Sequence, residues 1–166
     1  MLSNVQKVTS GLKASCSKYN RDINGLKLLA VSKTHPASAI QAAYDAGITD
    51  FGESYLQESL EKIHQLGDLP ICWHFIGPIQ SNKTRQIAEN FDWVHSVDRE
   101  KVLRRLASQR PANLPPLNVC LQTNLFNEPQ KQGVTEPKLA ELLELALSLP
   151  HIKLRGLMVI PPKNED

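Results

Sequence analysis

Short, almost wholly apolar runs alternate along this chain with helix-period segments, and that alternation restricts it to an α/β fold on a parallel sheet. The runs fall at residues 26–31, 50–52, 72–76, 93–97, 117–123 and 154–160. Between them, apolar side chains recur at steps of three and four, as in Ile40, Ala43 and Tyr44, in Leu56, Leu60 and Ile63, in Val102, Leu103 and Leu106, and in Leu139, Leu142, Leu143 and Ala146. Residues 81–90 supply a further crossover segment. A strand that is apolar on both faces must be covered on both, and right-handed crossovers place the helices outside. Six strands and five crossover helices result, preceded by an amphipathic helix carrying Val5, Val8, Leu12, Cys16 and Tyr19 and closed by Asn24-Gly25.

Local signals set the boundaries. Pro36 suits a first helical turn, and Gly47 suits the left-handed position after a helix. Ser54-x-x-Gln57 has the form of a capping box, Gly67 closes the helix it opens, and Asp98 and Thr135 stand where caps are expected. The proline-rich residues 110–116 form a connector, and Pro150 ends the last helix.

With 166 residues, 41% hydrophobic and 22% charged, the chain holds enough apolar surface for one core. A formal charge of +2 without long single-sign runs gives no case for nucleic acid or membrane binding, and no apolar run reaches the about 18 residues of a membrane span. Cys16, Cys72 and Cys120 are odd in number and far apart, which suits reduced core thiols and not a disulfide framework. With no basic-then-apolar segment after Met1, a cytoplasmic location is expected.

Two architectures accommodate the pattern. A doubly wound open sheet uses six strands comfortably, whereas an eight-stranded barrel typically needs about 250 residues. Against the open sheet, no G-x-G-x-x-G or G-x-x-x-x-G-K-[ST] loop follows the first strand.

Lys33 follows the first strand, at the carboxyl end where such folds gather functional groups. Partial enclosure of an amine there disfavours the ammonium form and leaves free amine to attack an aldehyde. The plainer alternative is a lysine that extends from the strand end into solvent. Cys72-x-His74 has the look of half a metal site, but strand alternation alone puts both on one face and no second pair follows, so no metal is expected. Ser81, Asn82 and Lys83 open a helix whose free N–H groups favour an anion, although capping and a solvated lysine are the commoner explanation.

The segment Ala30-Val31-Ser32-Lys33-Thr34-His35-Pro36 resembles the cofactor-lysine segment of the YggS/PROSC family of pyridoxal phosphate (PLP) homeostasis proteins. Phe51-Gly52-Glu53-Ser54-Tyr55-Leu56-Gln57-Glu58 is similar to the family's F-G-E-N-x-x-Q-E, and residues 73–83 (WHFIGPIQSNK) to its W-H-F-I-G-x-x-Q-x-N-K. Leu121-Gln122-Thr123-Asn124, Lys131-Gln132-Gly133 and Leu154-Arg155-Gly156-Leu157-Met158 continue the resemblance in order.

The resemblance implies a TIM-type (β/α) PLP-binding barrel like the amino-terminal domain of alanine racemase, with residues 1–166 forming a single domain. It implies that Lys33 holds PLP as a Schiff base in a protein that manages the supply of vitamin B6 without catalysis of its own, with PLP-dependent apoenzymes as recipients. Ser54, His74, Asn124 and Met158 are the expected companions of Lys33 around the cofactor. For His74 the alternative is a satisfied core histidine, and for Asn124 and Met158 packing and loop hydrogen bonding.

Two departures stand out. Ser54 replaces the family's asparagine, losing reach and a donor. The sequence also stops at Asp166, shortly after Met158-Val159-Ile160-Pro161-Pro162, whereas the family continues through two more strands that hold its phosphate-binding segments and an arginine facing the pyridine nitrogen. The barrel is therefore expected to be incomplete at its carboxyl end, with open strand edges that invite association where a complete barrel would be monomeric. A PLP-dependent racemase-like enzyme is one rival reading, although racemization needs a second acid-base group on the opposite ring face. A fragment with only a structural or interaction role is the other.

Overall fold

The computed structural model describes residues 2–125 and 132–161, so Lys131 and Pro162 of the quoted motifs lie outside the described residues. Helix α1 (Leu2–Lys18) precedes a regular alternation: β1 (Ala30–Val31), α2 (Ala37–Asp45), β2 (Asp50–Glu53), α3 (Leu56–Gln65), β3 (Cys72–Phe75), α4 (Thr84–Asn90), β4 (Trp93–Val97), α5 (Glu100–Gln109), β5 (Leu117–Thr123), α6 (Glu136–Ser148) and β6 (Ile152–Val159).

The strand order decides between the two architectures. All neighbours are parallel and the sheet runs β1-β2-β3-β4-β5-β6 without reversal. A doubly wound sheet reverses its order at a switch point, whereas a barrel winds in one direction only. This is the winding of a (β/α) barrel of which six strands are present, with β1 and β6 as edges among the described residues.

Strand alternation sorts the side chains. Phe51, Trp73, Phe75, Val94, Val119 and Leu121 are buried beneath the helices, where they meet Ile87, Phe91, Leu103 and Leu106. Phe75 and Phe91 pack edge to face with centroids 5.2 Å apart. The opposite face carries Asp50, His74, Trp93 and His95, so this polar network lies on the side that a barrel encloses. No helix among the described residues is long and apolar enough to cross a membrane.

Several boundaries differ from the sequence reading. The first strand pairs with β2 over only two residues, and upstream of it Lys27 reaches Asp50 through its side chain. The capping box does not form: Tyr55 is the N-cap of α3 and makes no side-chain cap bond. Arg99, not Asp98, precedes α5, with Asp98 accepting from Arg99 Nη1 at 2.5 Å. Residues 81–83 form a 3-10 turn, and α4 begins only at Thr84, so the anion-favouring helix start expected at Ser81 is displaced. Gly47 takes its expected left-handed conformation (φ 97°), and Thr135 does precede α6.

Candidate functional site

Lys33 lies in the turn between β1 and α2, and the turn is held from both sides. Ser32 extends the sheet by one bond, donating its N–H to Gly52 O at 3.0 Å, and its buried hydroxyl donates to Glu53 Oε1 at 2.6 Å. His35 N–H returns to Ser32 O at 3.1 Å and closes the turn. Thr34, between them, has φ 66°, an uncommon conformation for a β-branched residue. Its N–H donates to Glu58 Oε1 at 2.6 Å. Lys62, reaching up from α3, donates to Ser32 O and Glu53 Oε1, each at 2.8 Å, and to Glu58 Oε1 at 2.5 Å. Glu53 is fully buried, and its second oxygen is unpartnered among the described residues.

The Lys33 side chain is exposed, so the enclosure expected of it is missing among the described residues. The edge position of β1 explains this, because among the described residues no strand flanks its outer side. Its amine makes no hydrogen bond or ion pair among the described residues, whereas the amines of Lys27 and Lys62 are committed to carboxylates.

His74 stands in the row of the sheet that joins Val31, Gly52 and Trp93, two residues before Lys33. It is 2% exposed, and both ring nitrogens are engaged, Nε2 with Asp50 Oδ1 and Nδ1 with His95 Nε2, each at 2.9 Å. Its ring stacks on Trp93 at 5.4 Å and His95 at 5.1 Å. Burial alone would raise the Asp50 carboxyl, but hydrogen bonds from Lys27, His74 and Thr49 outweigh it and hold the group at about 2. Asp50 must therefore accept, so His74 donates from Nε2, and its Nδ1 accepts the Nε2–H of His95. This is the geometry of a satisfied core histidine, with Asp50 and His95 as partners.

Burial, reinforced by the neighbouring His74, lowers His95 from its ordinary 6.5 to about 4, and burial lowers His74 as well. Between these values the unfolded chain binds more protons than the folded one, so stability is lost as pH falls from about 6.5 to about 4. Urea unfolding at pH 7, 5.5 and 4 should show this decline, and His95→Phe should flatten it. Parallel pH profiles for variant and parent would contradict the assignment.

Asp50, Cys72 and His74 hold ligand-type atoms within 4.8 Å of one another. Lys27 donates to Asp50 Oδ1 at 2.7 Å and places an ammonium where a cation would bind. Burial, with Asp92 and Asp50 nearby, pushes the Cys72 thiol up to about 12, so it stays protonated.

The remaining expected residues sit at or near strand ends. Ser54 directly follows β2 and is half-buried. It lines a hollow of about 320 Å³ with Gln57, Gln80 and Lys83, and that hollow includes none of Lys33, His74, Asn124 or Met158. Asn124 directly follows β5, where its N–H meets Val134 O at 3.0 Å. Met158 is the penultimate residue of β6, and its carbonyl accepts from the Thr123 hydroxyl at 3.4 Å. Lys33, Ser54, Asn124 and Met158 thus share the carboxyl rim of the sheet, while His74 belongs to the network inside it.

Gly77 fixes part of that rim, because a Cβ there would lie 2.2 Å from Ser54 O and 2.6 Å from its Cα, both backbone atoms that cannot swing aside. Gly77→Ala should therefore cost at least about 1–3 kcal/mol in urea unfolding, the usual toll of overpacking. An unchanged midpoint would show that the rim yields freely.

Glu53, Glu58 and Lys62 escaped the sequence reading as partners of the Lys33 turn. Glu58 and Lys62, four apart on α3, look like a routine surface pair, and Glu53 lies just past the apolar run at residues 50–52, so nothing in the sequence marked the three as partners.

The family profile described as "Alanine racemase, N-terminal domain" matches residues 10–166. The chain is 56% identical over 158 residues to a pyridoxal phosphate homeostasis protein of Pseudomonas aeruginosa, covering 95% of this chain and 69% of that protein. It is 48% identical over 166 residues to that of Escherichia coli, covering 98% and 71%. Among solved structures, PipY of Synechococcus elongatus with PLP bound superimposes with a TM-score of 0.78 at 39% identity, covering 92% of this chain and 71% of that one. Alanine racemase from E. faecalis gives a TM-score of 0.71 at 18% identity over 98% of this chain and 44% of that one, a likeness of fold alone. With the barrel winding and the lysine turn, these similarities lead to one conclusion: the chain belongs to the alanine racemase N-terminal-domain family and, within it, to the pyridoxal phosphate homeostasis proteins.

Proposed function

We propose that this chain binds PLP through Lys33 and serves intracellular PLP homeostasis, carrying the cofactor without turning over a substrate. The observation that carries this reading is an uncommitted amine on a rigidly held turn at the carboxyl end of β1. The residues fit the group: an aldehyde needs a free amine, and Lys33 has one whose flanking backbone is fixed on both sides. PLP, when bound, would supply an electrophilic aldehyde, and Lys33 would supply the amine that holds it. The protein's part is to present Nζ, and Ser54, Asn124 and Met158 are candidates for the walls around the ring. His74 has both ring nitrogens engaged by Asp50 and His95, which leaves neither for the cofactor.

Homeostasis proteins among the relatives and a PLP-bound structural neighbour support the carrier reading. PLP-dependent apoenzymes in the cytoplasm are the proposed recipients. Carrier and racemase are separated by incubating the PLP-loaded protein with single enantiomers of amino acids. Unchanged enantiomeric purity with retained visible absorbance is the expected result, and accumulation of the opposite enantiomer would favour an enzyme.

A further inference from the structure

We infer that Glu58 and Lys62, with Glu53 beneath them, are positioning residues for Lys33: they clamp the peptide groups on either side of it and hold the 32–35 turn in its amine-presenting conformation. This inference rests on the reading of Lys33 as the PLP lysine. The two clamps act on different atoms. Lys62 fixes the carbonyl before Lys33, and Glu58 fixes the N–H after it. Thr34 occupies the left-handed region, which persists only where the surroundings impose it, and such strain gathers at functional sites.

A purely stabilising role explains the arrangement poorly. Buried ion pairs are weak sources of stability, and an apolar replacement of similar volume often serves as well. Here the ammonium is spent on a backbone carbonyl as well as two carboxylates. Glu58 is one-third exposed, so its pair with Lys62 contributes little to folding, yet its oxygen also meets Thr34 N–H. The Lys62 hydrogen bond, more than any other influence, holds the Glu58 carboxyl below its ordinary range, so it stays an acceptor near neutrality.

A loosened turn would spend less time in the competent conformation, and apparent affinity falls in proportion to that fraction. Full-length parent, Glu58→Ala, Glu58→Gln and Lys62→Arg proteins are titrated with PLP, and with pyridoxal, which lacks the phosphate, while the visible band and the thermal midpoint are recorded. Glu58→Ala should raise the Kd for both aldehydes about ten-fold with the midpoint nearly unchanged, as expected for a competent fraction near one-tenth. Glu58→Gln, which keeps the acceptor oxygen, and Lys62→Arg, which keeps the cation, should recover most of the affinity. Unchanged Kd values in Glu58→Ala overturn the inference, as does a loss confined to PLP, which would place the effect on the phosphate. A parent that shows no visible band with either aldehyde overturns the Lys33 reading itself, and this inference with it.

Discussion

Lys33→Ala is expected to abolish all PLP that survives borohydride reduction and denaturation, while the unfolding curve stays within about 0.5 kcal/mol of the parent. The two halves of this prediction share one cause. The side chain is exposed and its amine has no partner among the described residues, so its removal opens no cavity and strands no buried charge. The turn survives, because its bonds run through Ser32, Thr34 and His35. Visible absorbance after PLP addition and urea unfolding measure the two halves separately. Retained covalent label in the variant would move the attachment to another lysine. A large loss of stability would mean that Lys33 is part of the structure and not of a site on it.

Lys62→Met should be the costliest single change near the site, at about 3–5 kcal/mol, because it leaves the Glu53 carboxylate buried without a counter-charge. The Lys62 and Glu53 side chains are 6% and 0% exposed, so water cannot take over. Adding Glu53→Gln to Lys62→Met should recover much of the loss, since the orphaned charge is then gone. Equilibrium urea unfolding of the two single variants and the double variant gives the coupling directly. A Lys62→Met loss below about 1 kcal/mol, or a double variant no better than the single, would show that Glu53 is not a charge held by Lys62.

The strands and crossovers were legible because each depends on a local period. Residues 93–97 and 117–123 match β4 and β5 residue for residue. Edges and caps were not, since contacts distant in sequence decide them. β1 shrinks to Ala30–Val31, a length that the apolar run at residues 26–31 does not signal. Ser54 carries a capping-box signature, yet Tyr55 takes the N-cap position and the Ser54 backbone packs close to Gly77, 23 positions later. Strand order also lies outside any local pattern, and the unreversed series was needed to tell a barrel from an open sheet.

The site divides in the same way. The place of Lys33 directly after β1's turn residue Ser32 was readable from the apolar run before it, but its exposure was not. The clamp spans 30 residues from Lys62 to Ser32 and 24 from Glu58 to Thr34, separations that no helix or strand period encodes. Likewise Cys72-x-His74 suggested a shared face, but the partners of His74 come from β2 and β4, and only the strand register brings Asp50 and His95 to its two nitrogens.

The attachment site is tested most directly by incubating the protein with PLP, reducing with borohydride, digesting and locating the label by mass spectrometry. The account predicts the phosphopyridoxyl group on the peptide containing Lys33. Label centred on Lys27, Lys62 or Lys83, or no label at saturating PLP, would contradict it.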